Sequence, residues 1–277
     1  MFGGYNEFFL KFVATIHPRT VHDEDILTLV AAMDPITLAQ MKDIKLMNRT
    51  DTKFVTSKAM LVQLLYLAKD DYYSQEHAGQ RVADYKTVYW DTDQHIFFMQ
   101  HHNGHAPRQK VRVRTYMDSL ETFLEIKTKN NHKRTKKKRI SVPSQEDLGA
   151  DAPAFVEERT RLALNTLHPC LQNRFHRITL VNRAKTERLT IDFDVQFKNF
   201  ESHNECGTGD LVIIELKRDG NVPSPVLRLL NQLRIKPSGF SKYCIGSCMT
   251  NSALKQNRFK PKLQNVARLV RVGGGLF

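Results

Sequence analysis

The chain has 277 residues and a formal net charge of +13, with 42 Lys and Arg against 29 Asp and Glu. With 41% apolar and 26% charged residues, the composition is that of a globular protein able to bury a sizeable core. No apolar run approaches the ~18 residues of a membrane-spanning helix. The excess of cations favours a polyanionic partner, such as nucleic acid, an anionic membrane or a phosphate-rich molecule, over solubility alone.

The N-terminus and the cysteines indicate a reducing location. The first twenty residues lack the basic start and the small-residue cleavage site of a signal peptide. Four cysteines in a chain this long do not suggest a disulfide framework. Cys244 and Cys248 have a loose metal-like spacing but no second pair, which argues against zinc. We therefore expect a cytoplasmic protein.

In chain order, residues 1–33 are predicted to form a helical leader packed on one larger domain, 34–277. The stretch MDPITLAQMKDIKLMNRTDTKF predicts a helix with Pro35 at its first position, followed by a strand. Residues 57–72 predict an amphipathic helix with Ser57 as its N-cap. No Gly-, Pro- or Ser-rich linker divides the rest of the chain.

The middle of the chain predicts strands over 85–92, 95–102, 108–116 and 122–129, in the succession typical of antiparallel hairpins. The basic run 127–139 is read as a solvated loop or as part of the sheet. Histidines 101, 102 and 105 are placed in a solvated hairpin loop. Beyond it, a helix over 152–167, strands over 175–182, 188–197 and 211–218, and a proline-bounded helix are expected.

Several of these strands alternate between charged and apolar residues. In RQKVRVRTY, Lys110, Arg112 and Arg114 fall at every second position, with valines between them. Successive side chains of a strand point to opposite faces, so the cations share one face. The same alternation runs through FLEIK (123–127), ERLTIDFD (187–194) and VIIELK (212–217). It places Asp194 on the charged face of its strand.

Two arrangements fit this alternation. In a half-exposed antiparallel sheet, the charged face points to water. In a closed barrel with amphipathic helices outside, it points into the lumen. Arginines tolerate such crowding when an anion fills the space, and a phosphate chain does so because guanidinium groups bind its oxygens in pairs.

At this point the residues resemble a known family. From about residue 34 to about 250 the chain is similar to the VTC domain, the polyphosphate polymerase branch of the triphosphate tunnel (CYTH-like) metalloenzymes. The motifs occur in order: MDPITLAQMKDIKLMNRTDTKF, YWDT, HHNGHAPRQKVRVRTY, FLEIKTKNNHKRTKKKRI, RITLVNRAKTERLTIDFD, IIELKR and FSKYCIG. The resemblance implies an α+β fold, an antiparallel barrel of about eight strands with helices outside and a basic tunnel inside.

The resemblance also implies a set of site residues. The expected catalytic residues are Arg112, Arg114, Lys127, Arg177, Arg188, Glu215 and Lys242, with Glu215 as the ligand of Mn²⁺ or Mg²⁺. The expected substrate-binding residues are Lys53, Lys110, Lys137, Lys217 and Ser241. A slip of one residue in the basic run would turn Lys137 outward.

One departure separates the chain from hydrolytic members of the superfamily, which have a Glu-x-Glu-x-Lys signature. The corresponding stretch here is Arg49-Thr-Asp-Thr-Lys53, so the first carboxylate is replaced by arginine and the second by a shorter aspartate. This lowers the capacity for metal and favours the polymerase branch over triphosphate hydrolysis.

The function expected from the resemblance is transfer of the γ-phosphate of ATP to a growing inorganic polyphosphate chain. Phosphoryl transfer needs positioning and charge neutralisation more than covalent help from the protein. The alternatives are a metal-dependent hydrolase of tripolyphosphate or nucleoside triphosphates, and a non-catalytic module that binds polyphosphate or inositol phosphates. A nucleic-acid partner is not expected, because few aromatic residues interleave with the cations.

Overall fold

The computed structural model describes residues 21–42, 44, 49–131, 135–220 and 222–272. Eight helices are described: α1 (Val21–Ala32), α2 (Leu38–Lys42), α3 (Lys58–Ala68), α4 (Ile96–His102), α5 (Ala152–Thr160), α6 (Pro225–Gln232), α7 (Lys242–Thr250) and α8 (Lys260–Val272). None of these is long and apolar enough to cross a membrane. The predicted leader is helical over α1, and its first twenty residues lie outside the description, so the division at residue 33 stays a prediction.

Among the described residues, eleven strands form one sheet. Their bounds are β1 (Pro35–Thr37), β2 (Arg49–Ser57), β3 (Tyr72–Glu76), β4 (Val82–Asp91), β5 (Arg108–Tyr116), β6 (Thr122–Lys129), β7 (Thr135–Val142), β8 (His168–Asn182), β9 (Glu187–Asn199), β10 (Glu205–Gly207) and β11 (Leu211–Asp219). The central path is β2-β11-β9-β8-β4-β5-β6-β7, and every pairing along it is antiparallel. The predicted α+β class with eight central antiparallel strands is confirmed.

The sheet curls until distant strands face one another. Lys127 on β6 and Glu215 on β11 are separated by four intervening strands. On a flat sheet they would lie ~24 Å apart, at ~4.8 Å per strand. Yet each of these two charges shifts the pKa of the other. The wall is therefore barrel-like, although no ladder among the described residues joins β7 to β2.

Helices cover the outer face of this wall, as predicted. Apolar residues of β8, β9 and β11, such as Ile191 and Ile214, pack with α1, α3 and α6 in one cluster. The valines of β5 pack with Leu124, Ile126 and α5 in another. Ser57 caps α3 as predicted, because its hydroxyl accepts a hydrogen bond from the Met60 amide at 3.3 Å.

A third apolar cluster lies on the inner side. Leu211 and Ile213 have the same parity along β11 as Glu215, so they face the lumen. They pack with Phe197 and with Tyr243 and Cys244 of α7. Helix α7 thus lies against the concave face of the sheet and fills part of the lumen with apolar side chains.

Two predicted elements differ from the structure. Residues 95–102 are not a strand: helix α4 spans Ile96–His102. The buried carboxylate of Asp91 accepts hydrogen bonds from the amides of Phe97 and Phe98, which favours the helical turn over extension. His101 and His102 therefore lie on a helix, and His102 is buried. Pro35 begins strand β1, which pairs parallel with β3, and the helix starts only at Leu38.

Two further expectations concern the charged strands. The end of the basic run 127–139 lies in β7, an edge strand paired with β6. There the run is part of the sheet rather than a solvated loop. Asp194 does not share the charged inner face. Its φ is 51° beside an irregularity in the β8–β9 pairing, and its carboxylate contacts Lys58 and His176 instead.

Candidate active site

The alternation along β5 separates two environments. Val111 and Val113 are almost fully buried under α5. Arg112 and Arg114 point the other way, and each is only 7% exposed. A half-exposed sheet would leave both arginines in water, so the charged face lines the lumen. Burial of two guanidinium groups requires counter-charges nearby, because an unpaired buried charge is costly.

Glu125 on β6 supplies one counter-charge. Its Oε2 accepts hydrogen bonds from Nε and Nη2 of Arg112 at 2.8 and 2.5 Å, and its Oε1 accepts one from Lys137 at 2.8 Å. Burial would raise the pKa of Glu125, but Arg112, Arg114 and Lys137 hold it well below its usual value. Lys137 lies opposite Lys127 in the ladder and points inward, so the one-residue slip does not occur.

Asp192 on β9 supplies a second counter-charge. It accepts hydrogen bonds at 2.6 and 2.8 Å from Arg177 and also pairs with Lys242 at the start of α7. Burial opposes ionisation of Asp192, yet these two cations keep its pKa well below normal. Burial also lowers the pKa of Lys242 to about 7, partly opposed by Asp192 and reinforced by Arg177.

Glu215 on β11 is the third carboxylate. Lys53 lies 2.8 Å from its Oε1, and Lys217 lies 3.5 Å from its Oε2. Burial would raise the pKa of Glu215, but the charges of Lys53, Lys217 and, across the lumen, Lys127 hold it far below normal. The ladder places Glu215 directly opposite Lys53, so the predicted metal ligand and one predicted phosphate ligand are neighbours, while their roles stay predictions.

Other predicted residues complete the lining. Lys110 donates to the hydroxyl of Ser241 at 2.8 Å, and that hydroxyl also caps α7 by accepting from the Cys244 amide at 3.2 Å. The positive charge of Arg112, followed by burial, lowers the pKa of Lys127 well below normal. Arg188 lies opposite Lys217 on the same face, and its Nη2 contacts the Met41 carbonyl oxygen at 3.3 Å.

Aromatic rings support two of the arginines, which the sequence did not predict. The guanidinium carbons of Arg114 and Arg177 lie 5.3 and 5.0 Å from the ring centre of Tyr85. Phe175 stacks on Tyr85 at 5.3 Å, and the Lys242 ammonium lies 3.9 Å from the Phe175 ring centre. These cation–π contacts hold the cations without neutralising them. Burial and the charges of Arg112 and Arg177 lower the pKa of Arg114 to about 10.

The structure thus brings the predicted residues to one surface and adds others. Glu125, Asp192, Tyr85 and Phe175 were not among the predicted site residues. The alternation in FLEIK and TIDFD did place the two carboxylates on the charged face, but their partners come from other strands. The ring contacts join residues of β4 and β8, so neither strand's sequence taken alone predicts them.

A divalent cation fits this lining only in a limited way. Glu215 is a single carboxylate between two lysines, and Asp51 of the altered signature lies opposite Lys217 and is exposed. The described part of the chain contains no group of three or more His, Cys, Asp or Glu side chains that would hold a metal. Mg²⁺ often binds through one carboxylate together with substrate phosphates and water, and Glu215 would provide that one carboxylate.

Comparison with known proteins agrees with this lining. The family model of the VTC domain matches residues 48–251, and the chain belongs to that family. The family match supports an activity related to triphosphates or polyphosphate. The comparison with curated proteins returned no matching sequence.

Several solved structures show a weak overall similarity to this chain. A candidate adenylate cyclase from Bacillus halodurans is 12% identical, with a TM-score of 0.46 over 70% of this chain and 96% of that one. A candidate adenylyl cyclase from Hippeastrum, described as having a dominant triphosphatase activity, is 14% identical with a TM-score of 0.46 over 73% and 96%. The RNA triphosphatase Pct1 of Schizosaccharomyces pombe is 7% identical, with a TM-score of 0.29 over 94% and 96%. Because these TM-scores are low, the family membership rests on the match over residues 48–251 alone.

Proposed function

We propose that the protein is a polyphosphate polymerase that transfers the γ-phosphate of ATP to the end of an inorganic polyphosphate chain. The observation that supports this most directly is the charge of the lumen. Glu125, Asp192 and Glu215 each already have two cationic partners, and Lys110, Lys127 and Arg114 crowd the same surface, where burial and neighbouring cations lower the pKa of each. A polyanion longer than a single phosphate would neutralise such a surface.

The chain's own residues account for most of what the reaction needs. Arg112 and Arg114 on one wall and Arg177 on another would hold two polyanions with their ends aligned, which offsets the repulsion between them. The same donors would stabilise the charge that develops on the transferred group. The attacking oxygen of a phosphate chain needs no strong base, so the absence of a His-Asp pair from this set of residues is consistent with the reaction.

Mn²⁺ or Mg²⁺ would be held by Glu215 together with phosphate oxygens, where the ion would neutralise the terminal phosphates of ATP. The pairing of Glu215 with Lys53 and Lys217 explains how the carboxylate stays ionised before substrate arrives. The altered signature at Arg49 and Asp51 favours transfer over metal-driven hydrolysis, since it offers fewer carboxylates for a second ion.

Incubation of the purified protein with ATP and Mn²⁺ tests this function. Polyphosphate and ADP in matched amounts are the expected products. Orthophosphate without polymer would replace the proposal with a hydrolase of the same fold. Tight binding of tripolyphosphate without turnover would indicate a binding module. Glu215→Gln in parallel shows whether any turnover arises in the lumen rather than from a contaminant.

A further inference from the structure

A row of aromatic rings crosses the inner face of the sheet. Phe175 on β8 stacks on Tyr85 on β4, Tyr85 contacts Tyr116 on β5 at 5.1 Å, and Tyr116 contacts Phe123 on β6 at 5.8 Å. The parity of Tyr116 matches Arg114, and that of Phe123 matches Glu125, so both rings share the face of the phosphate-binding cations.

The two ends of this row differ in their surroundings. Phe175 and Tyr85 are buried beneath Arg114, Arg177 and Lys242. Tyr116 and Phe123 are half-buried at the end of the β5–β6 hairpin. Both ring neighbours of Tyr116 meet it at an angle, 57° for Tyr85 and 88° for Phe123, rather than stacking flat on it.

Cations accompany the exposed end as well. The guanidinium carbon of Arg139, an exposed residue of β7, lies 4.2 Å from the ring centre of Phe123. Arg139 lies opposite Glu125 in the β6–β7 ladder, so it extends from the same inner surface. The Arg139 guanidinium therefore covers one face of Phe123 and leaves its own outer face free to stack a further planar group.

A purely structural role explains this arrangement less well. Rings that only fill space are buried, as Phe175 is at 1% exposure. Tyr116 and Phe123 keep part of their surface accessible next to Arg139 and Arg114, and Arg114 lies opposite Phe123 in the β5–β6 ladder. Aromatic groups next to phosphate-binding cations are the arrangement that binds single nucleotides and single strands by base stacking.

We propose that Tyr116 and Phe123, with Arg139, form a subsite that stacks the base of the nucleotide donor. This rests on the proposed function for the choice of a nucleoside triphosphate as ligand. Arg114 precedes Tyr116 by two residues on the same face, ~7 Å along the strand. A triphosphate held at Arg114 and Arg177 would therefore place its nucleoside at Tyr116. Because stacking depends little on which base is present, we expect adenine and guanine nucleotides to bind about equally well.

The wild-type protein gives the first test, by calorimetry in EDTA so that no turnover occurs. ATP should bind about tenfold or more tightly than ribose 5-triphosphate, which has the same sugar and phosphates but no base. Equal affinities would overturn the subsite. This measurement does not depend on polymer formation, so it remains valid even if the protein is not a polymerase. If the protein makes polymer but binds ATP and ribose 5-triphosphate equally tightly, only the subsite proposal is overturned.

The second test is Tyr116→Ala, with Tyr116→Phe as its matched control because the ring is kept. Tyr116→Ala should remove most of the tenfold preference for ATP and leave ribose 5-triphosphate binding unchanged. Tyr116→Phe should bind both ligands like wild type. A parallel loss for both ligands in a variant with a wild-type unfolding midpoint would show that the ring only supports Arg114, and would overturn the proposal.

Discussion

Individual residues of the lumen are arranged as cation-rich pairs around buried carboxylates. Glu125, Asp192 and Glu215 each contact two cations, and each has a pKa held well below its usual value. Before a phosphate chain binds, these carboxylates offset part of the repulsion among the lining arginines and lysines. A phosphate chain then competes for cations that are already aligned, so little side-chain ordering is needed on binding.

The first prediction at this scale compares neighbours on β5. Arg114→Ala should remove charge-assisted bonds to phosphate of roughly 1.5–3 kcal/mol and lower kcat/KM for polymer formation about ten- to a hundredfold. Val113→Thr, on the other face, should lower the unfolding midpoint and spare the chemistry. Arg112→Ala should also be impaired, but it additionally leaves Glu125 with a single partner. Fully active arginine variants would defeat the tunnel assignment.

The second prediction concerns the metal ligand. Glu215→Gln should abolish turnover and leave tripolyphosphate binding intact or tighter, because it removes a negative charge between Lys53 and Lys217. Calorimetry with tripolyphosphate and an assay for polymer distinguish the two effects. Joint loss of binding and turnover, with a lowered melting temperature, would instead indicate that Glu215 is needed for the structure.

The third prediction follows from the pKa of Lys242, which burial lowers to about 7. At pH 8 most Lys242 is therefore neutral in the free protein, and a bound phosphate chain should raise its pKa and protonate it. Binding of tripolyphosphate at pH 8 should take up protons, seen as a binding enthalpy that depends on the buffer. The Lys242→Gln variant should take up fewer protons when it binds tripolyphosphate. A buffer-independent enthalpy in the wild type would contradict this.

At the scale of elements, helix α7 decides where two site residues lie. Its N-cap Ser241 contacts Lys110, and Lys242 contacts Asp192, so both depend on how closely the helix approaches the sheet. Gly246 permits that approach. A Cβ built there would lie 2.4 Å from Phe197 and 2.9 Å from Leu171.

The fourth prediction tests this contact. Gly246→Ala should destabilise the protein by roughly 1–3 kcal/mol through overpacking and should weaken tripolyphosphate binding, because α7 must shift. Gly207→Ala is the matched control, since a Cβ there meets no atom within 4 Å. Thermal unfolding and calorimetry measure both quantities. An unchanged melting temperature in Gly246→Ala would contradict the close packing of α7.

At the scale of the whole molecule, the curled sheet concentrates positive charge on its inside. The inner carboxylates have folded-state pKa values below their ordinary ones, so they contribute stability that is fully present above about pH 4.5 and is lost as the pH falls below it. Below that pH the unfolded chain takes up protons on these carboxyl groups, whereas the folded lumen keeps them ionised beside its cations. Proton uptake therefore favours the unfolded state increasingly as the pH falls.

The fifth prediction is therefore a steep fall of the unfolding midpoint below about pH 4.5, reduced by added tripolyphosphate, which binds the lumen of the folded protein and so stabilises the folded state. A titration of melting temperature between pH 3 and 8, with and without tripolyphosphate, measures this. Sodium chloride at matched ionic strength is the control for general screening. A midpoint that is flat across the acid range would show that the inner carboxylates contribute little to stability.

Much of the wall could be predicted from short-range patterns. The alternation in RQKVRVRTY, FLEIK and VIIELK depends only on the period of two of an extended chain, so it correctly separated Arg112 and Glu215 from the valines and isoleucines beside them. The same reasoning was wrong for 95–102, because an apolar run suits helix or strand equally well. The hydrogen bonds from Phe97 and Phe98 to Asp91 decided in favour of helix.

By itself, the sequence determined which side chains share a face, the excess of positive charge, and the family motifs. Only the tertiary structure decided whether that face points to water or inward, since periodicity along one strand contains no information about curvature of the sheet. It also decided the partners of Glu125 and Asp192 and the ring row from Phe175 to Phe123. Those contacts join strands far apart in the chain, and their geometry depends on register, twist and the packing of α7 against the concave face.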